Sequence, residues 1–256
     1  MEGVFKWIIV GSVIVGTIVA FIIIWLALSG NVKYEMQTYT AVNNNTALDI
    51  AIEAGVLRTE YYYGDKIQIE YPVSKSFKSK VYEKEGTFHF ENDFRAFFIL
   101  FINPKIPDIV IKLPHGAYYD INLGMSAGKV NLAGGRFGKA ELQMSAGTLK
   151  GEGMDCSSLK LKISAGAAAL GTVNCHSLDM HMSAGSASID KITCADTKLR
   201  VSAGSVKLGF TGLSQEYSII KHVSVGSCNV SAQNGMTDKT IDINVSAGSV
   251  KLDFGV

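Results

Sequence analysis

From Met125 to the C-terminus, apolar and polar residues alternate in short strings that are interrupted at one recurring tripeptide. Ser-Ala-Gly ends at Gly128, Gly147, Gly166, Gly185 and Gly204, a Ser-Val-Gly variant ends at Gly226, and Ser-Ala-Gly returns at Gly248. The glycines are 19 residues apart four times and then 22 apart twice. Three residues before each glycine stand Met125, Met144, Ile163, Met182, Val201, Val223 and Val245. Five before stand Leu123, Leu142, Leu161, Met180, Leu199, Lys221 and Ile243. The residues between them are mostly polar (Gln143, Lys162, His181, Arg200). This is the period-two pattern of a strand with one buried face. Alternation resumes after the glycine, with Val130, Leu149, Ala168, Ala187, Val206, Cys228 and Val250 two residues on.

A coil of about 20 residues cannot bury its apolar face alone, so the pattern predicts stacked coils. The fold class is all-β: a single-stranded, right-handed parallel β-helix or solenoid of 19–22-residue coils. The hand follows the general crossover rule. Each coil holds two main strands that meet at Ser-Ala-Gly, with serine outward and alanine inward. The corner glycine tolerates positive φ or a close backbone approach. A branched side chain there, as in Gly185→Val, is expected to cost about 1–3 kcal/mol if φ is positive.

The same pattern appears in degenerate form upstream. Leu48, Ile50 and Ile52 alternate into Glu53-Ala54-Gly55, which places Gly55 with the corner glycines. Lys66–Tyr71, Gly86–Phe90 and Ile109–Leu113 read as further strands, and Phe97–Ile102 as an internal one. The chain divides into a head (1–6), a membrane helix (7–28), a connector (29–46), degenerate coils and a cap (47–120) and regular repeats (121–256). The chain ends soon after Phe254 with no cap in view, which predicts an exposed edge on the last coil.

Trp7–Leu28 is a run of 22 residues without a charge, long enough to span a bilayer as a helix. Trp7 and Trp25 sit near its ends, as interface anchors do. A cleaved signal peptide is the rival reading, with Ala27-Leu28-Ser29 as its small-residue site. The length of the apolar run favours a retained single-pass anchor, with the lipid bilayer as partner of residues 7–28 and the large domain outside the cell. Net charge is +1 and no Lys/Arg block occurs, which excludes an ordinary nucleic-acid partner.

Cys156, Cys175 and Cys194 are also 19 apart, in an apolar register shared with Phe137 and Leu213. They read as a buried ladder of free thiols; a disulfide or a structural metal are the alternatives. His181 and His222 share an outward register interrupted by Arg200, which gives no metal pair. The acids collect in no single register, and the short coils lack insertions that would build a catalytic groove. The expectation is a protein that is not an enzyme and holds no cofactor and no metal.

Glu53-Ala54-Gly55, Leu113-Pro114-His115-Gly116 and the series from Ser126 together resemble a bacterial putative-adhesin family of unknown function with β-strand repeats, over about residues 46–256. The resemblance implies a β-solenoid on a membrane anchor and no catalytic residues. It also implies an association of some relatives with envelope stress or regulation. The reading is thus a non-catalytic envelope or surface module that binds a polysaccharide or a protein. The alternatives are an end-to-end self-associating scaffold, resembling bactofilins, and a sensing or regulatory accessory.

Overall fold

The computed structural model describes residues 33–74, 77–94 and 106–256. The apolar run Trp7–Leu28 and the string Phe97–Ile102 lie outside them. No helix among the described residues is long and apolar enough to cross a membrane. The strands are β1 (Glu35–Thr40), β2 (Ala47–Tyr62), β3 (Gln68–Val73), β4 (Phe77–Lys84), β5 (Thr87–Phe94), β6 (Ile109–Pro114) and β7 (Tyr119–Leu132). They continue as β8 (Gly135–Gly151), β9 (Met154–Met182), β10 (Ser186–Thr193), β11 (Asp196–Val201), β12 (Ser205–Phe210), β13 (Tyr217–Cys228) and β14 (Lys239–Phe254).

β2, β7, β8 and β9 stack in parallel and in register, so that Ile50 faces Leu123, Leu123 faces Leu142, and Leu142 faces Leu161. Met180, Leu199 and Ile243 carry the same row onward. All of these side chains are buried. Each contributes about 1.5–3 kcal/mol by leaving water, so the row is a continuous core rather than a set of local contacts.

The corner departs from the inward-alanine reading. Ala146, Ala165, Ala184, Ala203 and Ala247 are exposed beside their serines, and only Ala54 of the first coil is buried. The buried positions on either side of the corner, such as Met144 and Leu149, are five residues apart. An odd step breaks the period of two, so Ser, Ala and Gly form an outward arc, and the glycine takes up the change of direction. All eight corner glycines have φ between 115° and 150°.

The order of the coils also differs from the order of the sequence. β11 and β12 pair with β14, and β13 pairs with the far side of β14. The last strand in the chain therefore fills the penultimate rung, and β13 covers it. The turn Ser214–Glu216 carries the chain past the vacant rung. Phe210, Tyr217 and Phe254 pack together at this crossing, with Phe210–Tyr217 and Phe210–Phe254 ring centroids 5.1 and 5.3 Å apart. Leu213 leaves its apolar register and is exposed. The uncapped edge expected on the final coil is thus covered as far as Val250. Beyond that point the side-chain amide of Asn229 imitates a strand: its Nδ2 donates to Leu252 O and its Oδ1 accepts from Leu252 N, each at 2.8 Å.

The N-terminal end of the stack is closed in two ways. On one sheet β5 pairs in parallel with the first half of β2, and β4 folds back on β5 as a hairpin. On the other, β6 pairs in parallel with the second half of β2, and β3 and β1 follow antiparallel. β1 lies within the segment read as connector; its Tyr39 packs on Phe88 with ring centroids 6.0 Å apart, which gives this polar stretch a reason to be ordered.

Glu83 ties the two wings together. It accepts hydrogen bonds from the Val42 and Asn43 N–H groups at 2.7 and 2.9 Å, from Asn45 Nδ2 at 2.8 Å and from the Tyr39 hydroxyl at 2.9 Å. Partial burial opposes its ionisation, but these four donors outweigh it and bring its pKa down to about 2 from an ordinary 4.5. A depressed carboxylate stabilises the fold above its unfolded pKa and loses that contribution as pH falls through the folded value. Glu83→Gln is expected to cost about 1–2 kcal/mol at pH 7, allowing for solvent screening of a half-exposed site. The gap between variant and wild type should close between pH 5 and pH 2; a gap independent of pH in urea titrations would show that the charge is not what the donors hold.

Candidate binding surface

The first sheet of the stack presents a broad polar face. Four residues before each corner glycine, long or polar side chains point outward: Gln143, Lys162, His181, Arg200, Asn244 and His222. The first two coils have Ala51 and Gly124 there instead. The two small residues leave a depression of about 700 Å³, with Ile52 and Met125 beneath it. The β4–β5 hairpin raises one wall, with Lys78, Lys80 and Glu91. Gln143 and Ser145 make the other, and Glu53 and Ser126 lie toward the corner.

The hairpin wall is braced from behind. The Tyr82 hydroxyl donates to Glu91 at 2.9 Å, which raises the tyrosine's pKa because ionised Glu91 favours the neutral phenol. Tyr82 stacks on His89 with ring centroids 4.5 Å apart and an interplanar angle of 6°, and Lys80 Nζ lies 4.5 Å from the Tyr82 centroid. His89 Nδ1 is 3.0 Å from Asp49, whose other oxygen accepts from Asn122 Nδ2 at 2.9 Å. These contacts run from β4 across β5 and β2 to β7, and they hold the lysine and glutamate of the wall on a rigid sheet.

Beyond Gln143 the face is filled by neighbouring side chains of opposite charge. Glu141 pairs with Lys160 and Lys162 at 3.0 and 3.2 Å, and the two lysines lower its pKa. Arg200 bonds Asp179 at 2.9 Å and His181 at 2.8 Å. Exposed pairs of this kind add little stability each. They fill the face there, whereas over Ala51 and Gly124 lysine, glutamate, hydroxyl and amide groups line a depression. A second depression of about 690 Å³ lies on the neighbouring sheet over Ala133, Ala169 and Gly151, with Arg58, Lys150, Glu152 and Asp190 at its rim.

The residues singled out in the sequence fall elsewhere. Gly55, Gly128, Gly147, Gly166, Gly185, Gly204, Gly248 and Gly226 form one line along the corner, in that spatial order, each nearest the backbone of the one before. The cysteines form a row, but the buried ladder needs correction. Cys194 is buried, whereas Cys156 and Cys175, both on β9, are half-buried. Cys228 is also half-buried, because β13 is the outermost rung. The depression itself escaped the sequence reading, although its signal was present in the two small residues of an otherwise long-chained register.

The Toastrack DUF4097 family profile matches residues 41–255. The chain therefore belongs to that family. No curated protein matches the chain. Among solved structures, a putative cell adhesion protein from Clostridium sporogenes is 13% identical, over 87% of this chain and 100% of that one, with a TM-score of 0.31. Putative adhesins from Parabacteroides distasonis and Parabacteroides merdae are 10% and 11% identical over 87% of this chain and 98% and 97% of theirs, each with a TM-score of 0.36.

Proposed function

We propose that this Toastrack protein is a non-catalytic surface module of the bacterial cell envelope, tethered by residues 7–28, that binds a hydroxyl-rich envelope polymer over Ala51 and Gly124. The observation that carries this reading is the depression itself. Its walls offer cationic donors, anionic acceptors and hydroxyls on a rigid sheet, above an apolar floor. Such a mixture suits a polar chain whose hydroxyls both donate and accept. The lining residues include no histidine and no cysteine, so neither of the usual bases or nucleophiles of those types stands beside its serines. Anchoring rests on the 22 uncharged residues from Trp7 to Leu28, and the proposal puts the domain outside the plasma membrane.

Gly124→Gln gives a direct test. An added Cβ at Gly124 meets open space, and its φ lies outside the left-handed region, so the larger side chain fills the depression as Gln143 fills the next coil. The full-length protein in detergent micelles is expected to bind isolated bacterial envelopes saturably. Gly124→Gln should weaken binding at least tenfold while unfolding within about 0.5 kcal/mol of the wild type. Undiminished binding by the variant would remove the depression from the account. Binding lost on protease treatment of the envelopes, and kept after glycan digestion, would identify a protein partner instead.

A second reading, self-association, is favoured by the outer edge of β13. Among the described residues β13 pairs as a strand with β14 alone, its outer side is bridged at Ile219 by Gln233, and Ile220 and Val225 on it are 55% and 67% exposed. Growth of the particle with concentration, measured by light scattering on the same samples, distinguishes this reading from binding by a monomer.

A further inference from the structure

We propose that Cys156, Cys175 and Cys194 form an oxidisable thiol ladder with Cys175 as the shared rung, closing a Cys175–Cys194 disulfide that Cys156 can shift to Cys156–Cys175. The three residues occupy one register on three successive coils. Asn174 faces Thr193 in the parallel ladder, which sets Cys175 beside Cys194 in the next position. Neighbouring in-register strands place Cα atoms about 4.8 Å apart, within the 4.4–6.8 Å range that disulfides span. The side chains already point toward one another: Cys175 Sγ lies 3.4 Å from Cys194 Sγ and donates to it. On the other side Asn174 Nδ2 donates to Asp155 at 2.7 Å, which sets Cys156 beside Cys175 in the next position.

The surroundings give the rungs different parts. Cys194 is buried, and its thiol is held by the carbonyls of Asp196 and His176 at 3.2 and 3.4 Å. Cys156 and Cys175 are half-buried, so a small reagent reaches them first. The Cys175 hydrogen bond draws the Cys156 and Cys194 thiols toward the thiolate, whereas Cys175, bonded on both sides, is pushed up. Cys175 donates to Cys194, so the central thiol keeps its proton and Cys194 is the acceptor of the pair. Asp155 and His176 stand at the open side, paired with Asn174 at 2.7 Å and with Asp196 at 3.7 Å.

The oxidant required is a low-molecular-weight disulfide. A cysteine thiolate attacks one of its sulfurs, its S–S bond breaks, and half of it leaves as a thiolate. The adjacent protein thiol gives up its proton, attacks the mixed disulfide, and expels the second half. Two protein thiols lose two protons and two electrons, and the small disulfide becomes two thiols. Attack by Cys156 on Cys175 then releases Cys194 with no further oxidant. The result is a staple across consecutive coils that can move one step along the stack.

Trypsin separates the three positions, because Lys150, Lys160, Lys162, Lys191 and Lys198 isolate each cysteine on its own peptide. The full-length protein in detergent micelles is treated with oxidised glutathione, the remaining thiols are alkylated, and the unreduced digest is weighed. Two of the four thiols should disappear without retained glutathione. The Cys175 peptide should be found joined to that of Cys194 or Cys156. Cys175→Ser should abolish the internal bridge and leave glutathione on Cys156, while Cys156→Ser should keep the Cys175–Cys194 link. Mixed glutathione disulfides without a bridge, a Cys156–Cys194 link, or thiols that react only after urea unfolding would each overturn the ladder. The wild-type peptide map decides the matter even where a variant does not fold.

Discussion

Gly185→Ala unfolds at a stability about 3–5 kcal/mol below the wild type, whereas Gly55→Ala loses only about 1–2 kcal/mol. Both glycines have left-handed φ, 115° at Gly185 and 133° at Gly55, and both variants force an L-residue into that region. They differ in what lies against the new methyl group. At Gly185 the added Cβ runs into the carbonyl oxygen of Gly166, closer than 3.0 Å, a separation real Cβ atoms do not reach. Backbone cannot rotate away as a side chain can, so one coil must lift from the next. At Gly55, the first of the line, nothing lies within 4 Å. The difference between the two variants therefore isolates close approach from conformational strain. It also explains why the loss of about 1–3 kcal/mol expected for Gly185→Val understates the effect, since even the methyl group of alanine meets the neighbouring backbone. Equal losses in urea unfolding would show that the coils do not touch at the corner.

The stack was legible because its two periods are independent. Alternation by two marks each strand, and recurrence by 19 marks the coil, so residues such as Leu142 and Leu161 could be placed in one core row before any coordinates. The exchange of β13 and β14 was not legible from spacing, because Ser224-Val225-Gly226 and Ser246-Ala247-Gly248 satisfy the repeat equally well. Composition held a clue. Lys221 is the one charged residue in the register otherwise occupied by Leu, Met and Ile. A lysine fits there only if the rung has no neighbour on its far side, and its Nζ does turn away to Val230 O at 2.7 Å. Val225 in place of alanine says the same, since it is 67% exposed at the outermost corner. The depression needed the hairpin as well as Ala51 and Gly124. Its wall comes from β4 and β5, whose antiparallel return carries no repeat.

The caps bear on function because an open parallel edge invites another chain. Backbone pairing, β13, and the single amide of Asn229 close most of one end, and what remains exposed is the edge of β13 rather than of β14. Assembly by continuing the repeat is therefore opposed at the position where the sequence placed it. Continuation of the stack at this end would have to use the β13 edge beyond Ile219, which itself pairs with Gln233.

At the opposite end, Asn92→Leu is expected to cost about 2–4 kcal/mol and to abolish binding together with it. Asn92 is 4% exposed and stands where a further strand would lie beside the first corner. Its Oδ1 accepts from Glu53 N at 2.7 Å and its Nδ2 donates to Ala54 O at 3.1 Å. Leucine fills similar space but offers no donor to the carbonyl of Ala54, which is itself buried, so water does not replace the amide readily. Asn229→Leu removes the matching amide at the exposed end, where water does replace it, and should cost only about 0.5–1.5 kcal/mol. Both Asn92 and Glu53 border the depression, so the hairpin wall loosens when the amide is lost. Gly124→Gln acts in the opposite manner, filling the depression while leaving the fold intact. Binding lost in both variants, with stability lost only in Asn92→Leu, is the pattern a preformed site between hairpin and stack produces. Equal stability losses for Asn92→Leu and Asn229→Leu would mean that the first corner is as wet as the last, and that the hairpin is not held by the amide.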